Sequence, residues 1–410
     1  MQLQINQFKG GHTMSNTTKK VIKKSDWVSS FNLIGAAKIT EHTFKIDEKS
    51  EKSSWIYNLL NLGIDCGEKF GTVFCEMMGG YSEEQAGLIY AHGKKEDGSD
   101  DFETQIQVAW EDRFNDEILE TIGDLSFLTV GLEKTDKGST FYKKFLAPYD
   151  AIAYIKEHLE DGMVVNVKGT LKYSSYQDKV QVRKNVTSIV LSKADDTSKY
   201  AARFTQSVLL NKDSANLKDN YDKDKGVMYV DGIVLDYLKE LNGVEIKGQY
   251  PYNKQFEYEF PDISNQKQCT TIMEKLFKVK KGINQVTFEG EFIEGGATVK
   301  ATLDDIPEDI KDLIACGVFT EEEALAKCSS NGGREQRMIL RRPMVKLTGD
   351  DKIPVVQKFE EKFQEDDLVL DYLNEAVEQN VANAMNAPEA DTSATTDGGS
   401  SADMDWLNNL

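Results

Sequence analysis

A short amphipathic segment, a glycine and an alternating segment with a second glycine occur in the same order twice in this chain. In the first copy, "YDAIAYIKEHLED" leads to Gly162 and "MVVNVKGTLKY" follows. In the second copy, "TTIMEKLFKVKK" leads to Gly282 and "INQVTFEGEF" follows. Aligning the alternating segments places Gly169 on Gly290, about 120 residues apart. Apolar spacings of three and four predict a helix that ends at each leading glycine, and the repeat indicates two copies of one fold.

Strand-like segments precede each copy of the repeat. "FNLIGAAKI", "SSWIYNLLNLGID" and "FGTVFCEMMGG" come before the first copy, and "RFTQSVLLN", "GVMYVDGIVLDYL" and "QFEYEFP" come before the second. Five strands with a helix before the fourth, closed into a small barrel, form the OB-fold plan. A glycine inside the strand after the helix permits the bend that such a barrel requires. We therefore predict a mainly β protein with some helix, built from two OB-fold-like five-stranded barrels.

Changes in composition along the chain predict the domain boundaries. The first barrel is assigned to residues 25–195, with a polar insertion at 82–145, and the second barrel to residues 196–350. Residues 351–385 are assigned to a linker that contains a candidate helix. Residues 386–410 are predicted to be a disordered acidic tail with a distinct tip, because most of this segment has no large apolar side chain.

The two ends of the chain are not expected to contribute to the barrels. Residues 1–24 are predicted to be disordered. Codons before Met14 could contain a bacterial ribosome-binding sequence, which would make Met14 the start; an ordinary disordered N-terminus is the alternative. Residues 360–410 hold 13 acidic residues and one lysine, and so carry −12 of the formal net charge of −20.

The composition also argues against several classes of function. Without a basic excess, any nucleic acid must be held by a local patch. The five cysteines are dispersed without a C-x-x-C pair, which is typical of reduced cytoplasmic thiols. The four histidines show no metal-binding spacing, and no apolar run approaches the roughly 18–20 residues of a membrane span. No nucleophile–base arrangement has local support, so we expect a cytoplasmic protein that is not an enzyme and has no cofactor, metal site or membrane contact.

The segment that contains the first repeat resembles a known family. "YDAIAYIKEHLEDGMVVNVKGTLKYSSYQDKVQVRKNVTSIVLS" is similar to the second half of bacterial and phage single-stranded DNA-binding proteins over about 45 residues. The shared pattern is a helix and a glycine, "V-x-V-x-G-x-L", a tyrosine-containing hairpin, a strand with arginine and a closing "V-x-x-I-x-L". The C-terminus is similar too, because a linker leads to an acidic tip with bulky apolar residues: Asp403, Asp405, Trp406 and Leu410.

This resemblance implies a function and a place of action. Such proteins coat single-stranded DNA and recruit replication or recombination proteins through the tip, in a bacterial or phage-infected cytoplasm. The present chain departs from the family pattern in two respects. Its tip has two acids and ends in leucine rather than phenylalanine, and its tandem barrels are more like phage or plasmid versions than the single-barrel bacterial proteins.

Independently of the resemblance, cations and aromatic residues interleave where a single-strand groove would need them. Cations track phosphates, and each base stacked on an aromatic ring contributes roughly 1–3 kcal/mol. We expect the set at 168–184 to lie at the surface. The second barrel is less basic, and a structural or partner-binding role for it stays open. The candidate residues are Trp55, Tyr57, Phe74, Lys168, Lys172, Tyr173, Tyr176, Lys179, Arg183, Lys184, Tyr250, Tyr252, Arg341 and Arg342.

We therefore predict a protein that coats single-stranded DNA without sequence preference during DNA replication, recombination or repair. One alternative is an OB-fold structural or assembly protein of a phage particle, which is favoured by the net charge of −8 outside residues 360–410. An RNA-binding protein is another alternative. The sequence leaves homo-oligomerisation open.

Overall fold

The structure is a computed structural model that describes most of the chain between residues 22 and 369. The described residues are 22–51, 53–84, 87–176, 179–194, 196–241, 244–295, 306, 308–316, 318–328, 335–349 and 351–369. Residues 22–237 and 249–368 form one compact unit, while residues 238–248 and 369 are grouped in a second unit. The predicted start at Met14 and the predicted tail with its tip lie outside the described residues.

The first half of the chain is mainly β, as predicted. Its strands are β1 (Ser29–Lys38), β2 (Phe44–Lys49), β3 (Trp55–Asp65), β4 (Thr72–Ser82), β5 (Leu88–Lys94), β6 (Asp100–Ala109), β7 (Leu128–Lys134), β8 (Thr140–Phe145), β9 (Val164–Tyr176) and β10 (Lys179–Leu191). Its helices are α1 (Asp116–Leu119) and α2 (Pro148–His158).

The second half is built from longer strands. These are β11 (Ala201–Leu210), β12 (Tyr221–Asp222), β13 (Val227–Leu241), β14 (Val244–Glu259), β15 (Ile283–Gly295), β16 (Glu335–Pro343), β17 (Val345–Thr348), β18 (Ile353–Val356) and β19 (Lys358–Phe363). Its helices are α3 (Gln266–Ile272), which continues into one π-helical turn, α4 (Glu308–Ala315) and α5 (Glu321–Cys328).

Five strands of the first half close into a barrel. β1 pairs with β3, β3 with β4, β4 with β10 in parallel, β10 with β9, and β9 again with β1. Alternating residues such as Leu33, Leu60 and Val167 fill its interior and are fully buried. α2 lies before β9 and buries Ile152 and Ile155 against the same core. This closed five-stranded barrel is consistent with the predicted OB-like plan.

The second half repeats the same cycle of pairings. β11 pairs with β13, β13 with β14, β14 with β16 in parallel, β16 with β15, and β15 with β11. In chain order, α3 follows β14 and precedes β15, and α2 likewise follows β4, after the insertion, and precedes β9. The two halves are joined because β1 also pairs with β11, with Phe31 opposite Phe204.

Gly169 and Gly290 occupy equivalent positions in the two halves. A strand bend was the predicted reason for a glycine there, and the structure shows that close contact with an aromatic ring is a further reason. Gly169 is paired with Phe31, and a Cβ on this glycine would lie 1.9 Å from the Asn185 carbonyl oxygen and 2.7 Å from the Phe31 ring. A Cβ on Gly290 would lie 2.1 Å from the Phe204 ring. Each glycine therefore makes room for an aromatic ring from the first strand of its own ring of strands.

The predicted helix ends are partly wrong. α2 begins at Pro148 as expected but ends at His158, whereas the prediction extends it to Gly162. Gly162 instead lies in the turn into β9 with φ +81°, and Gly282 lies before β15 with φ +59°. These are left-handed conformations that glycine adopts without a steric penalty, so both glycines shape the turn that follows the helix.

Two further assignments are revised by the strand pairings. The insertion at 82–145 contains the β5–β6 hairpin and α1, and its β7 pairs in parallel with β10, so the insertion widens the sheet of the barrel. The linker assigned from residue 351 is wrong as far as Phe363, because β18 pairs with β17 and β19 pairs with β15. Most of its candidate helix lies outside the described residues.

Candidate nucleic-acid interface

An apolar strip lies on the outer face of β3 and β4. Strand alternation sends every second side chain outward, so Trp55, Tyr57 and Leu59 leave the barrel on β3. Phe74 and Met78 do the same on β4 and are 39% and 50% exposed. Leu59 is paired with Met78, and Phe74 with Gly63. We call these five side chains the apolar strip.

The apolar strip is long enough for several nucleotides. Trp55 is paired with Ser82 at one end, and Gly63 with Phe74 at the other. Gly63 follows Trp55 by eight positions along the strand, which corresponds to about 26 Å at roughly 3.3 Å per residue. With Phe74 exposed at one end and Trp55 partly exposed at the other, the strip offers rings on which successive bases could stack.

A row of cations crosses the barrel beside Phe74. The parallel register that sets Asn185 beside Glu76 places Arg183 beside Phe74, and Lys172 is paired with Arg183 on β9. On the other side, Lys38 is paired with Gly63. The apolar strip is therefore flanked by basic side chains on both edges of β3 and β4.

Each of these cations already has a carboxylate partner. The Arg183 Nε lies 3.7 Å from Glu76 Oε1, Lys172 Nζ lies 3.4 Å from Asp236 Oδ1, and Lys38 Nζ lies 3.1 Å from Asp65 Oδ2. All three cations are about half exposed. The carboxylates that hold Arg183 and Lys38 are themselves 31% and 39% exposed, and such ion pairs contribute only about 0–1 kcal/mol, so a phosphate could replace them at little cost. Asp236 is only 6% exposed, so Lys172 can contact a phosphate only while it stays beside this carboxylate.

Glu76 is the acidic side chain on β4 within this row. Its partial burial raises the pKa of the carboxyl above its usual range, and Arg183 and Lys184 oppose that shift. Burial and the neighbouring cations therefore act in opposite directions on the charge of Glu76.

The β9–β10 hairpin places its predicted residues on two faces. Lys168, Tyr176 and Lys179 are exposed with Lys172 and Arg183, as expected. Tyr173 and Lys184 point the other way, so their predicted surface positions are wrong.

Each of the two inward side chains has a partner inside the protein. The Tyr173 hydroxyl donates to Gln206 Oε1 at 3.0 Å, and burial raises the pKa of this phenol. Lys184 is 6% exposed and ion-paired with Glu294 on β15, and its ammonium lies 4.8 Å from the centre of the Phe292 ring. Neither group is available to phosphate or base in this conformation.

The predicted residues of the second half are also engaged. Tyr252 is buried and packs edge-on against the half-buried Tyr250, with 4.9 Å between ring centres. Arg341 lies between Glu259 and Glu291, and the Arg342 Nε lies 2.6 Å from Glu289.

These pairs form a charge ladder on β14, β15 and β16, with Arg337 held by Glu257 in the same way. Arg341 and Arg342 are thus paired with glutamates, as the cations of the first half are paired with carboxylates, and Arg342 remains 76% exposed. The ladder binds strand to strand within the sheet.

Sequence reasoning missed two members of the apolar strip, Leu59 and Met78. It considered only aromatic and basic residues, although both follow from the alternation that exposes Tyr57 and Phe74. Lys45 was missed as well; it is exposed on β2 and paired with Leu59.

The chain is similar to one protein family over part of its length. The YorF family model matches residues 94–287, just under half of the 410 residues. This span runs from the end of β5 through α2, β9 and β10 to the beginning of β15. No curated protein matches the chain. Across the described ranges, no helix is both long and apolar enough to cross a membrane.

Proposed function

We propose that this protein binds single-stranded DNA without sequence preference and coats it during replication, recombination or repair. In this proposal both rings of strands are OB-fold barrels, and the first carries the main DNA-binding face. The observation that supports it best is the outward-facing apolar strip on β3 and β4, with Phe74 and Met78 exposed, flanked by Arg183, Lys172 and Lys38. In OB folds the face of the second and third barrel strands binds oligonucleotides, and β3 and β4 are those strands here.

The chemistry of the strip suits binding that ignores sequence. Trp55, Tyr57 and Phe74 can stack on any base, because every base has a π-face. Arg183 and Lys38 would exchange their carboxylate partners for phosphates and release the counterions of the strand. The affinity should then fall steeply as the salt concentration rises.

The test is a titration of the full chain with oligo-dT at about 50 and about 200 mM salt, ionic strengths at which counterion release is easily measured. Phe74→Ala should lower the affinity roughly tenfold, in line with the loss of one stacked base. Tyr90→Ala is a matched control, since Tyr90 is an exposed aromatic residue on β5, outside the strip.

The control variant should bind like the unmodified chain. If the unmodified chain, Phe74→Ala and Tyr90→Ala bind oligo-dT with equal affinity, the apolar strip is not part of the DNA-binding face. The absence of any oligo-dT binding at the lower salt concentration would overturn the proposed function itself.

A protein-docking role is the second candidate, and two observations favour it. The charge ladder on β14, β15 and β16 pairs Arg337, Arg341 and Arg342 with glutamates. The β17–β18 hairpin also exposes apolar residues, with Leu347 60% and Ile353 57% exposed. An assembly protein would associate with other proteins and show no salt-dependent oligo-dT binding, so the same titration separates the two candidates. Oligo-rU in a parallel titration tests the RNA-binding alternative.

A further inference from the structure

A groove of about 920 Å³ opens away from the apolar strip. It is lined by residues 24–28 ahead of β1, Phe102 on β6, Gln249 on β14, and Met344, Lys346 and Gln357 near the β17–β18 hairpin. Ligand sites usually measure about 300–1,000 Å³, so this volume accommodates a nucleotide. Two aromatic residues, Trp27 and Phe102, contribute to its walls.

Two of the residues that line this groove carry a buried polar atom without a hydrogen-bond partner within the described part of the chain. These atoms are Nε1 of Trp27, which is a donor, and Oε1 of Gln249, which is an acceptor. An unsatisfied buried polar group costs roughly 1–3 kcal/mol, and native proteins carry few of them. A donor and an acceptor on residues that line one groove suit a ligand whose edge carries both kinds of group, as the edges of nucleobases do.

The groove also has a positive balance of charge. Lys24 and Lys346 line it, and the Lys24 ammonium lies 5.4 Å from the centre of the Trp27 ring. Its acidic residue, Asp26, has a partner already, because Lys362 Nζ lies 3.5 Å from the Asp26 Oδ2. Partial burial lowers the pKa of Lys24, while Asp236 raises it and Lys172 lowers it.

Asp236 connects the groove with the cation row, because it pairs with Lys172 at 3.4 Å and also raises the pKa of Lys24.

We propose that this groove binds one nucleotide of the single-stranded DNA, outside the apolar strip. The base lies against Trp27 and Phe102, its polar edge accepts from Trp27 Nε1 and donates to Gln249 Oε1, and its phosphate lies near Lys24 and Lys346. The proposal rests on the proposed function, since it takes the bound strand to be DNA. It adds a site where a base is held by hydrogen bonds as well as by stacking.

The test compares oligo-dT with an abasic sugar–phosphate oligomer of the same length on the full chain. Trp27→Phe keeps an aromatic ring but removes the donor, and Gln249→Leu removes the acceptor. Each should lower the affinity for oligo-dT about three- to tenfold, as expected for one lost hydrogen bond, and leave the affinity for the abasic oligomer unchanged. Lys346→Glu, on an exposed hairpin where folding is not at risk, should weaken the binding of both oligomers.

Two results would overturn the inference, and they differ in what they leave standing. If Trp27→Phe, Gln249→Leu and Lys346→Glu all bind oligo-dT like the unmodified chain while Phe74→Ala binds it weakly, the groove is not part of the DNA path and the proposed function survives. If the unmodified chain binds neither oligomer, the groove proposal fails together with the proposed function.

Discussion

Arg183 and Lys184 are neighbours in the chain and have opposite environments. Arg183 is half exposed on the outer face of β10, whereas Lys184 is buried between the two rings of strands, where it pairs with Glu294. Successive side chains of a strand point to opposite faces, so one of these two residues must point inward, but the alternation does not say which one. Which of the two is buried depends on β15, because it supplies the partner Glu294 from more than 100 positions further along the chain.

The buried pair leads to a prediction about stability. Lys184→Met should lower the free energy of unfolding by about 3–5 kcal/mol, because Glu294 is left as an uncompensated buried charge. Lys184→Met combined with Glu294→Met should recover most of that loss, since two apolar side chains replace the pair. Chemical denaturation monitored by circular dichroism measures both effects.

The exposed neighbour is the control for this prediction. Arg183→Gln should change the free energy of unfolding by less than about 1 kcal/mol, as is usual for an exposed ion pair. A single Lys184→Met variant as stable as the unmodified chain would contradict the buried ion pair.

Among the secondary-structure elements, β9 and β15 agree best with the prediction from the sequence. Their alternation, the helical segments before them and the equivalence of Gly169 and Gly290 could all be predicted, because each depends on local periodicity. The partners of their side chains could not. Tyr173 reaches Gln206, and Tyr173 and Lys172 both contact Asp236 on β13, so their environments depend on how the second ring docks on the first.

Gly169 gives the prediction that belongs to this scale. Gly169→Val should destabilise the protein by several kcal/mol or prevent folding, because its Cβ would meet the Asn185 carbonyl oxygen and the Phe31 ring. Gly87→Val is the control, since a Cβ there has nothing within 4 Å. Thermal unfolding of the two variants decides the point, and equal midpoints would show that the close approach at Gly169 is not present in solution.

For the whole molecule, the sequence predicts the broad β architecture and the position of the first barrel better than it predicts the interface. The sequence pattern of aromatic and basic residues predicts Trp55, Tyr57, Phe74 and Arg183 as candidates, and in the structure they lie on one face. No local sequence pattern predicts the groove at Trp27, because its walls come from distant parts of the chain: Lys24, Asp26, Trp27, Val28, Phe102, Gln249, Met344, Lys346 and Gln357. Only the packing of the insertion against the second half brings these residues together.

The acidic tail also belongs to this scale, and the last prediction concerns its tip. If residues 386–401 are disordered, as their composition predicts, they keep Asp403 and Asp405 at a high effective concentration near any cationic surface. Deleting residues 403–410 should then tighten oligo-dT binding about two- to fivefold at low salt and much less at high salt, where the contact is screened. The deletion should also abolish pull-down of any replication partner that depends on Trp406 and Leu410.

Side-by-side titration of the full and shortened chains tests the role of the tip. Replacing Asp403 and Asp405 with asparagine keeps the length of the chain and is the matched control for charge. Identical affinities at low salt, together with an unchanged set of bound partners, would leave the tail a solubilising role only.

The antiparallel pairing of β1 with β11 gives the two halves of the chain a local symmetry. Phe31 and Phe204 are equivalent residues of the two halves, and they face each other. On either side of them, Ser30 faces Thr205 and Asn32 faces Arg203, so the pairing is symmetric about a local twofold axis. This is the isologous contact that two identical subunits make across a dimer interface. The chain thus contains, within one polypeptide, the local symmetry of a contact between two identical subunits. The edge of β1 that faces β11 is already occupied by the other half of the chain, so a second copy of the protein cannot pair with it there.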